Sequence, residues 1–224
     1  MEEEIEYLQS NITNQTIHKV ANSTFIEGEL ANVPVVLLQS GIGKVNAAMG
    51  TTILIEQFNP QMIINTGSAG GFDPSLEIGD IVISSEVVHH DVDATGFDYA
   101  IGQVPQMPAT YKADKTLIYK VKDILTDHGI NNKIGLIGTG DSFMDNPEKI
   151  NLMLKDFPSM LAAEMEGAAI AQVCYQYDIP FVIIRALSDI AGTDSPMAFQ
   201  EFIKVAAKNA ADLIMQMVKN EGRE

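Results

Sequence analysis

The chain has 224 residues, a length that allows one large domain or two small ones and that suffices to bury a sizeable core. Hydrophobic residues make up 46% and charged residues 20%, which excludes a globally disordered chain. The 30 acidic residues outnumber the 14 Lys and Arg residues, and the formal charge of -16 would repel a polyanion. We therefore expect neither nucleic acid nor a membrane surface as a partner.

The cysteine content and the amino-terminal sequence favour a cytoplasmic protein. Cys174 is the single cysteine and cannot form an internal disulfide, which fits a reducing compartment. No apolar run approaches the ~18 residues of a membrane helix. The chain begins with Met1 and three glutamates, which is unlike a signal or transit peptide. No Gly/Ser linker divides the sequence, so we predict one domain over residues 1–224.

Short apolar runs alternate with helical patterns along the chain. In chain order, the patterns predict a strand at 33–38, a helix at 44–58, strands at 62–64 and 81–83, a helix at 114–128, a strand at 134–137, a helix at 164–177, a strand at 181–184 and a helix at 198–219. The predicted apolar face of the first helix contains Val45, Ala48, Met49 and Thr52. This alternation predicts an α/β fold with a parallel or mixed sheet.

Residues 91–112 have no clean period, and they contain Phe97, Tyr99 and Pro105. Loops of this length are uncommon in compact domains and are often functional. The segment is either a plain surface excursion or a cover over a site or an interface. Its aromatic content favours the covering role.

Small, polar or ionisable residues follow four of the predicted strands, at 39–45, 65–71, 138–143 and 185–189. In open α/β sheets, ligands bind beyond the carboxyl ends of the strands, so this clustering predicts a site there. The segment from Gly41 to Val45 is not a phosphate-binding P-loop. Its spacing is too short, and Val45 occupies the position of the magnesium-binding hydroxyl.

A metal site is not expected. His89, His90, Asp91 and Asp93 lie close in sequence, but adjacent residues of an extended chain point to opposite sides. No cysteine or further histidine has a supporting spacing.

Four carboxylates are candidates for a catalytic or binding role, and the alternative to that role differs among them. Glu4 belongs either to a solvated terminus or to a site. Glu164 and Glu166 lie near a predicted helix start, where a carboxylate also compensates the helix dipole. Asp189 follows an apolar strand, and a carboxyl group there is harder to explain without a function.

The number of arginines helps to decide whether phosphate or water is the co-substrate. Arg185 and Arg223 are the two arginines of the chain, and sites for free phosphate usually gather arginines for bidentate contacts. Water activated by a carboxylate is therefore favoured over phosphate as the nucleophile.

Together, in this order, seven segments resemble the 5'-methylthioadenosine/S-adenosylhomocysteine nucleosidase family of the purine nucleoside phosphorylase-like superfamily. These segments are 40–45 (SGIGKV), 64–71 (INTGSAGG), 79–82 (GDIV), 140–143 (GDSF), 164–166 (EME), 180–182 (PFV) and 185–189 (RALSD). The resemblance implies a three-layer α/β sandwich with a central mixed sheet flanked by helices. It also implies a homodimer that hydrolyses the N-glycosidic bond to adenine in methionine salvage, without a cofactor.

The resemblance also assigns roles to individual residues. Asp189 is implied as the acid that protonates adenine N7, with Ser188 orienting it, and Glu4 as the carboxylate that activates water, with Ser68 and Arg185 around that water. The remaining implied substrate contacts are Glu166 and the Met165 backbone at the ribose, Phe143 and the Met144 backbone at the purine, Met1, Ile42, Phe199 and Pro105 at the 5' substituent, and Phe97 and Tyr99 from the neighbouring subunit.

The chemistry agrees with these roles. Adenine is a poor leaving group unless N7 is protonated, and an apolar strand end favours the protonated form of a carboxyl group. A carboxylate at the ribose stabilises the positive charge of an oxocarbenium-like transition state.

The sequence departs from the family pattern at its start, where an apolar strand usually precedes the Met-Glu-Glu-Glu segment. We therefore expect a domain that lacks the first strand. A phosphate-dependent phosphorylase and a non-catalytic nucleoside-binding protein stay open as alternatives to the hydrolase.

Overall fold

The structure is a computed structural model that describes residues 2–190 and 208–220, with side chains from residue 5 onward. Its helices are α1 (Glu2–Asn11), α2 (Lys44–Phe58), α3 (Lys115–Asp127), α4 (Pro147–Asp156), α5 (Gly167–Tyr177) and α6 (208–220), and a 3-10 turn spans Thr95–Phe97. Its strands are β1 (Thr13–Val20), β2 (Ser23–Leu30), β3 (Val33–Gln39), β4 (Ile63–Gly71), β5 (Ile81–His89), β6 (Tyr111–Lys112), β7 (Asn132–Thr139), β8 (Met160–Glu164) and β9 (Phe181–Ile190).

The described strands form two sheets. β1, β2 and β3 make a three-stranded antiparallel sheet, and the other six strands follow the order β6-β5-β7-β8-β4-β9. β9 also pairs with β5, so the larger sheet curls back on itself. It is mixed, because β4 runs parallel to β9 but antiparallel to β8. The predicted α/β class with a central mixed sheet flanked by helices is confirmed.

β4 and β9 are longer than the sequence indicated, and this places the site inside the sheet. The two strands pair in parallel from Ile63 opposite Phe181 to Gly71 opposite Ile190, with one register shift between Ala69 and Gly70. The segments 65–71 and 185–189 were expected to follow strands, and this expectation was wrong. Each segment continues the strand before it, because the two strands supply each other's backbone hydrogen bonds along their whole length.

The bounds of α2 are confirmed, but its predicted apolar face is wrong. Val45 is 77% exposed. The buried residues of the helix are instead Ala47, Gly50, Thr51, Leu54 and Ile55. Apolar side chains surround most of this helix, so its sequence alone does not identify the face that packs against the sheet.

α5 begins at Gly167 and not at Glu164, because Met160–Glu164 pairs with β7 as β8. α6 covers the described end of the helix predicted over 198–219, whose first part lies outside the described residues. Within the described ranges, no helix combines the length and the apolar character that a membrane crossing requires.

Neither β1 nor α1 was predicted, because neither segment shows a clear periodic pattern of apolar residues. β1 has the sequence TNQTIHKV, whose residues are mostly exposed, so it lacks the apolar alternation of a half-buried strand. α4 was also missed, although its start is marked in the sequence. Asn146 caps this helix by accepting hydrogen bonds from the backbone N–H groups of Glu148 and Lys149, and Pro147 follows at the first helical position.

Candidate active site

A cavity of about 1500 Å³ lies between the two sheets and is bordered by strands from both. Eight of the site residues predicted from the sequence line it: Ile42, Ser68, Phe143, Met165, Glu166, Arg185, Ser188 and Asp189. A small adjoining pocket is lined by Met144 together with Phe143, Met165 and Asp189. The fold therefore brings together side chains that are far apart in sequence.

Asp189 lies near the end of β9 and is 2% exposed. The Ser188 hydroxyl donates a hydrogen bond of 2.9 Å to Asp189 Oδ1, and the same hydroxyl oxygen lies 3.4 Å from the carbonyl oxygen of Ala69 on β4. The carboxyl group is thus fixed in orientation and largely removed from water. Such a group is suited to transfer a proton to a bound molecule.

Glu166 immediately precedes α5 and faces the same cavity as Asp189. The backbone N–H of Gly43, at the start of α2, donates a hydrogen bond of 2.9 Å to Glu166 Oε1. The backbone N–H of Glu166 in turn donates to Glu164 Oε2 at 3.0 Å. A carboxylate held in this way can accept hydrogen bonds from hydroxyl groups of a ligand.

Glu164, one of the four candidate carboxylates, received no role from the resemblance, yet it borders the cavity. Its carboxylate accepts hydrogen bonds from the Gly167 backbone N–H, at 2.8 Å to Oε2, and from the Thr139 hydroxyl. It also forms an ion pair of 2.5 Å with Arg185, and both side chains are 2% exposed. Arg185 donates a second hydrogen bond, of 2.6 Å, to Asn65 Oδ1.

The surroundings of Glu164 favour its ionised form. Burial by itself would raise the pKa of Glu164, but the positive charge of Arg185 and the hydrogen bonds from Thr139 and Arg185 outweigh it. The pKa of this carboxyl group therefore lies below its usual value. The carboxylate also accepts N–H groups at the start of α5, so the expected compensation of the helix dipole is part of its role.

The position of Glu164 had a signal in the sequence. The run Met160-Leu161-Ala162-Ala163 is apolar and ends in a carboxylate, as the run before Asp189 does. Five residues are too few to distinguish a strand from a helical turn by periodicity, and the neighbouring helical pattern extended over them.

Several predicted site residues do not line the cavity of this chain. Phe97 is 81% exposed, Pro105 is also exposed, and neither they nor Tyr99 border the cavity. Met1, Phe199 and the side chain of Glu4 lie outside the described residues; the backbone of Glu4 belongs to α1.

Of the two adjacent histidines, His89 is buried and His90 is partly buried. Burial lowers the pKa of His89 and of His90. His89 Nε2 lies 2.9 Å from Gln172 Oε1, which ties β5 to α5. In the described part of the chain, no three His, Cys, Asp or Glu side chains are grouped so that they could hold a metal ion.

Comparison with known proteins places this geometry in a family. The sequence model of the phosphorylase superfamily matches residues 1–219. A 5'-methylthioadenosine/S-adenosylhomocysteine nucleosidase of Oceanobacillus iheyensis is 58% identical over 219 residues, which are 98% of this chain and 96% of the relative.

Solved structures agree. The nucleosidase of Neisseria meningitidis in complex with methylthio-immucillin-A has a TM-score of 0.95 and 47% identity, and the match covers 98% of this chain and 96% of that chain. The nucleosidase of Colwellia psychrerythraea in complex with adenine has a TM-score of 0.93 and 48% identity, with 97% of this chain and 91% of that chain covered. The chain therefore belongs to the 5'-methylthioadenosine/S-adenosylhomocysteine nucleosidase family of the phosphorylase superfamily.

Proposed function

We propose that this protein hydrolyses the N-glycosidic bond of 5'-methylthioadenosine and S-adenosylhomocysteine, releasing adenine and the thioribose product. The observation that carries the proposal is the meeting of Asp189 and Glu166 in one cavity that also contains the aromatic ring of Phe143. The names of the relatives and the adenine complex of the Colwellia psychrerythraea structure support the same reaction.

Asp189 acts as the general acid of this reaction. It donates a proton to N7 of adenine while the bond between the base and the sugar breaks, so that adenine leaves as a neutral molecule. Ser188 orients the carboxyl group through the hydrogen bond to Oδ1. The near-complete burial of Asp189 keeps bulk water from competing for the proton.

Glu166 binds the 2'- and 3'-hydroxyl groups of the ribose, with the Met165 backbone beside it. As the bond breaks, the sugar gains positive charge, and the carboxylate stabilises this charge. Phe143 stacks on the purine, and the Met144 backbone contacts its edge. Ile42 lines the region of the 5' substituent.

Water is the nucleophile in this proposal. Arg185 borders the cavity, and its guanidinium is already paired with Glu164 and Asn65. An arginine engaged in this way is poorly placed to bind a phosphate dianion. Glu4 activates the water, an assignment that depends on the resemblance.

The proposal is tested by incubating the protein with 5'-methylthioadenosine in phosphate-free buffer and following adenine release. Release that is independent of added phosphate supports the hydrolase. Release that requires phosphate, with formation of a ribose 1-phosphate product, identifies a phosphorylase. Tight binding of the nucleoside without any release identifies a binding protein.

We further propose that this chain is cytoplasmic and that two copies of it form a homodimer in which the 91–112 segment borders the neighbouring site. Exposed apolar side chains support this: Phe97 is 81% exposed, Val45 77% and Ile42 53%. Analytical ultracentrifugation should give a dimer, and Phe97→Ser should weaken it and raise KM. A wild-type monomer with full activity would contradict the dimer.

The cavity also extends between two strand edges that lack a partner within the described residues. β3 is paired on one side, by β2, and residues 63–69 of β4 are paired on one side, by β9. We propose that this part of the cavity accepts the additional apolar strand that the resemblance implies. A chain with an apolar segment ahead of residue 1 should be more stable to heat and more active than one that begins at residue 1, and equal stability and activity of the two would contradict this.

A further inference from the structure

The start of α2 is capped by carboxylates from two distant parts of the chain. Gly43 precedes the helix and has no side chain to cap it. The backbone N–H of Gly43 donates to Glu166 Oε1 at 2.9 Å, and the backbone N–H of Lys44 donates to Asp141 Oδ1 at 2.8 Å. A helix N-terminus attracts anions, so the two carboxylates perform the capping that Gly43 cannot.

A third carboxylate connects these groups. Lys44 Nζ forms an ion pair of 2.6 Å with Asp91 Oδ1, and the backbone N–H of Asp141 donates to Asp91 Oδ2 at 3.0 Å. Lys44, Asp91 and Asp141, which we term the Lys44 cluster, are therefore joined by three contacts that form a closed ring. The ring joins the start of α2 to the segments that follow β5 and β7.

The Lys44 cluster lies beside the site without lining its cavity. None of its three side chains lines the cavity. Lys44 and Asp91 are partly shielded, with side chains 19% and 29% exposed, so their ion pair is screened less than one in open water. The cluster fixes the backbone at Lys44, at the start of α2. The N–H group of the preceding residue, Gly43, is the one that contacts Glu166.

We propose that the Lys44 cluster consists of positioning residues that hold the Gly43 N–H against Glu166 and so orient this carboxylate toward the ribose. The proposal rests on the proposed role of Glu166. A carboxylate that loses a fixed N–H partner can rotate, and a small displacement of a positioned group reduces the rate substantially. Removing the cluster should therefore lower kcat/KM without removing any group that contacts the substrate.

The first test uses Asp141→Ala and Lys44→Met, each of which should lower kcat/KM for adenine release about tenfold. Lys44→Arg keeps the charge that pairs with Asp91 and should restore most of the activity. Asp73→Ala is the matched control. Like Asp91 of the cluster, Asp73 pairs with one lysine, Lys133 at 2.7 Å, and accepts one backbone N–H, that of Ser75 at 2.9 Å.

A double-mutant cycle separates positioning from general stability. If the cluster acts through Glu166, Asp141→Ala should have little further effect on the single-turnover rate once Glu166→Gln is present. The effect of Asp73→Ala, if any, should be the same in both backgrounds. A full tenfold loss from Asp141→Ala in the Glu166→Gln protein would overturn the proposal.

A measurement without substrate distinguishes failure of this inference from failure of the proposed function. Amide hydrogen exchange followed by NMR should show less protection at Gly43 in Asp141→Ala and Lys44→Met than in the wild type or in Asp73→Ala. Unchanged protection would overturn the inference even in an active enzyme. A wild-type protein that releases no adenine would instead contradict the proposed function, and the exchange data would still decide the role of the cluster.

Discussion

The carboxylate of Glu164 and the guanidinium of Arg185 meet at 2.5 Å, although both side chains are only 2% exposed. The pair joins the end of β8 to the middle of β9, and through Asn65 it also reaches β4. Three strands that border the cavity are thus fixed relative to one another by one cation. Glu166 follows Glu164 closely along the chain, and Asp189 follows Arg185. The ion pair therefore also helps to fix the positions of Glu166 and Asp189.

Glu164→Gln should lower the free energy of unfolding by about 3–5 kcal/mol at pH 7, because it leaves the buried guanidinium without a counter-charge. Urea denaturation measures this value. Lys133→Met, which removes an ion pair at the surface, is the control and should change stability little. A cost for Glu164→Gln as small as that of the control would show that the pair does not stabilise the fold.

The effect of Glu164→Gln on the free energy of unfolding should depend on pH. The pKa of Glu164 in the folded protein lies below its ordinary value of 4.5, so its ionised form stabilises the fold above that pH. The contribution is lost as the pH falls below 4.5. The difference in stability between wild type and Glu164→Gln should therefore shrink over that range, and a difference that grows on acidification would contradict the assignment.

Asp189→Asn should retain nucleoside binding but lose at least ~100-fold in turnover, because an amide cannot supply the proton that the departing base requires. Calorimetry with 5'-methylthioadenosine measures binding, and adenine release measures turnover. Ser188→Ala keeps the acid and removes only its 2.9 Å hydrogen bond, so it should lose less. Near-normal turnover of Asp189→Asn would remove the proposed role of this residue.

Cys174 should not react with Ellman's reagent at pH 8 until the protein unfolds. It is fully buried in α5, and burial raises the pKa of its thiol from 9.0 to about 12. Because the folded form keeps a proton that the unfolded form loses, the thiol lowers stability as the pH rises from 9 toward 12. Cys174→Ala should weaken that decline, and rapid labelling of the native protein would contradict the prediction.

Gly140→Ala should destabilise the segment that follows β7, at a cost of about 1–3 kcal/mol. A Cβ atom at this position would overlap the ring of His90, which is partly buried, and the ring or the backbone would have to move. The matched control is Gly96→Ala, since a Cβ atom there has no neighbour within 4 Å among the described residues. Equal thermal stability of the two variants would contradict the steric argument.

The fold class and much of the lining of the candidate site were predictable from the sequence, for identifiable reasons. The bounds of α2 followed from a long helical pattern between Gly43 and Asn59, and Asp189 stood out as a carboxyl group at the end of an apolar run. The partnership of Glu164 with Arg185 was not predictable, because it joins residues 21 positions apart on different strands. Such a contact depends on which strands are neighbours, and no local pattern encodes that order.

The orientation of α2 could likewise not be predicted from a local sequence pattern. A helix that is apolar on most sides can pack in more than one orientation, and the sheet beneath it decides which residues are covered. Val45 could be recognised as exposed only once β3 and α5 were in place beside the helix.

The capping of α2 by Glu166 and Asp141 also has a consequence for how the protein becomes active during folding. These two partners lie 123 and 97 residues away from the amides that they accept, so the binding centre cannot form in any fragment or early intermediate that holds only one half of the chain. Recovery of enzymatic activity after dilution from denaturant should consequently lag behind recovery of helical circular dichroism, and it would report completion of the entire tertiary structure.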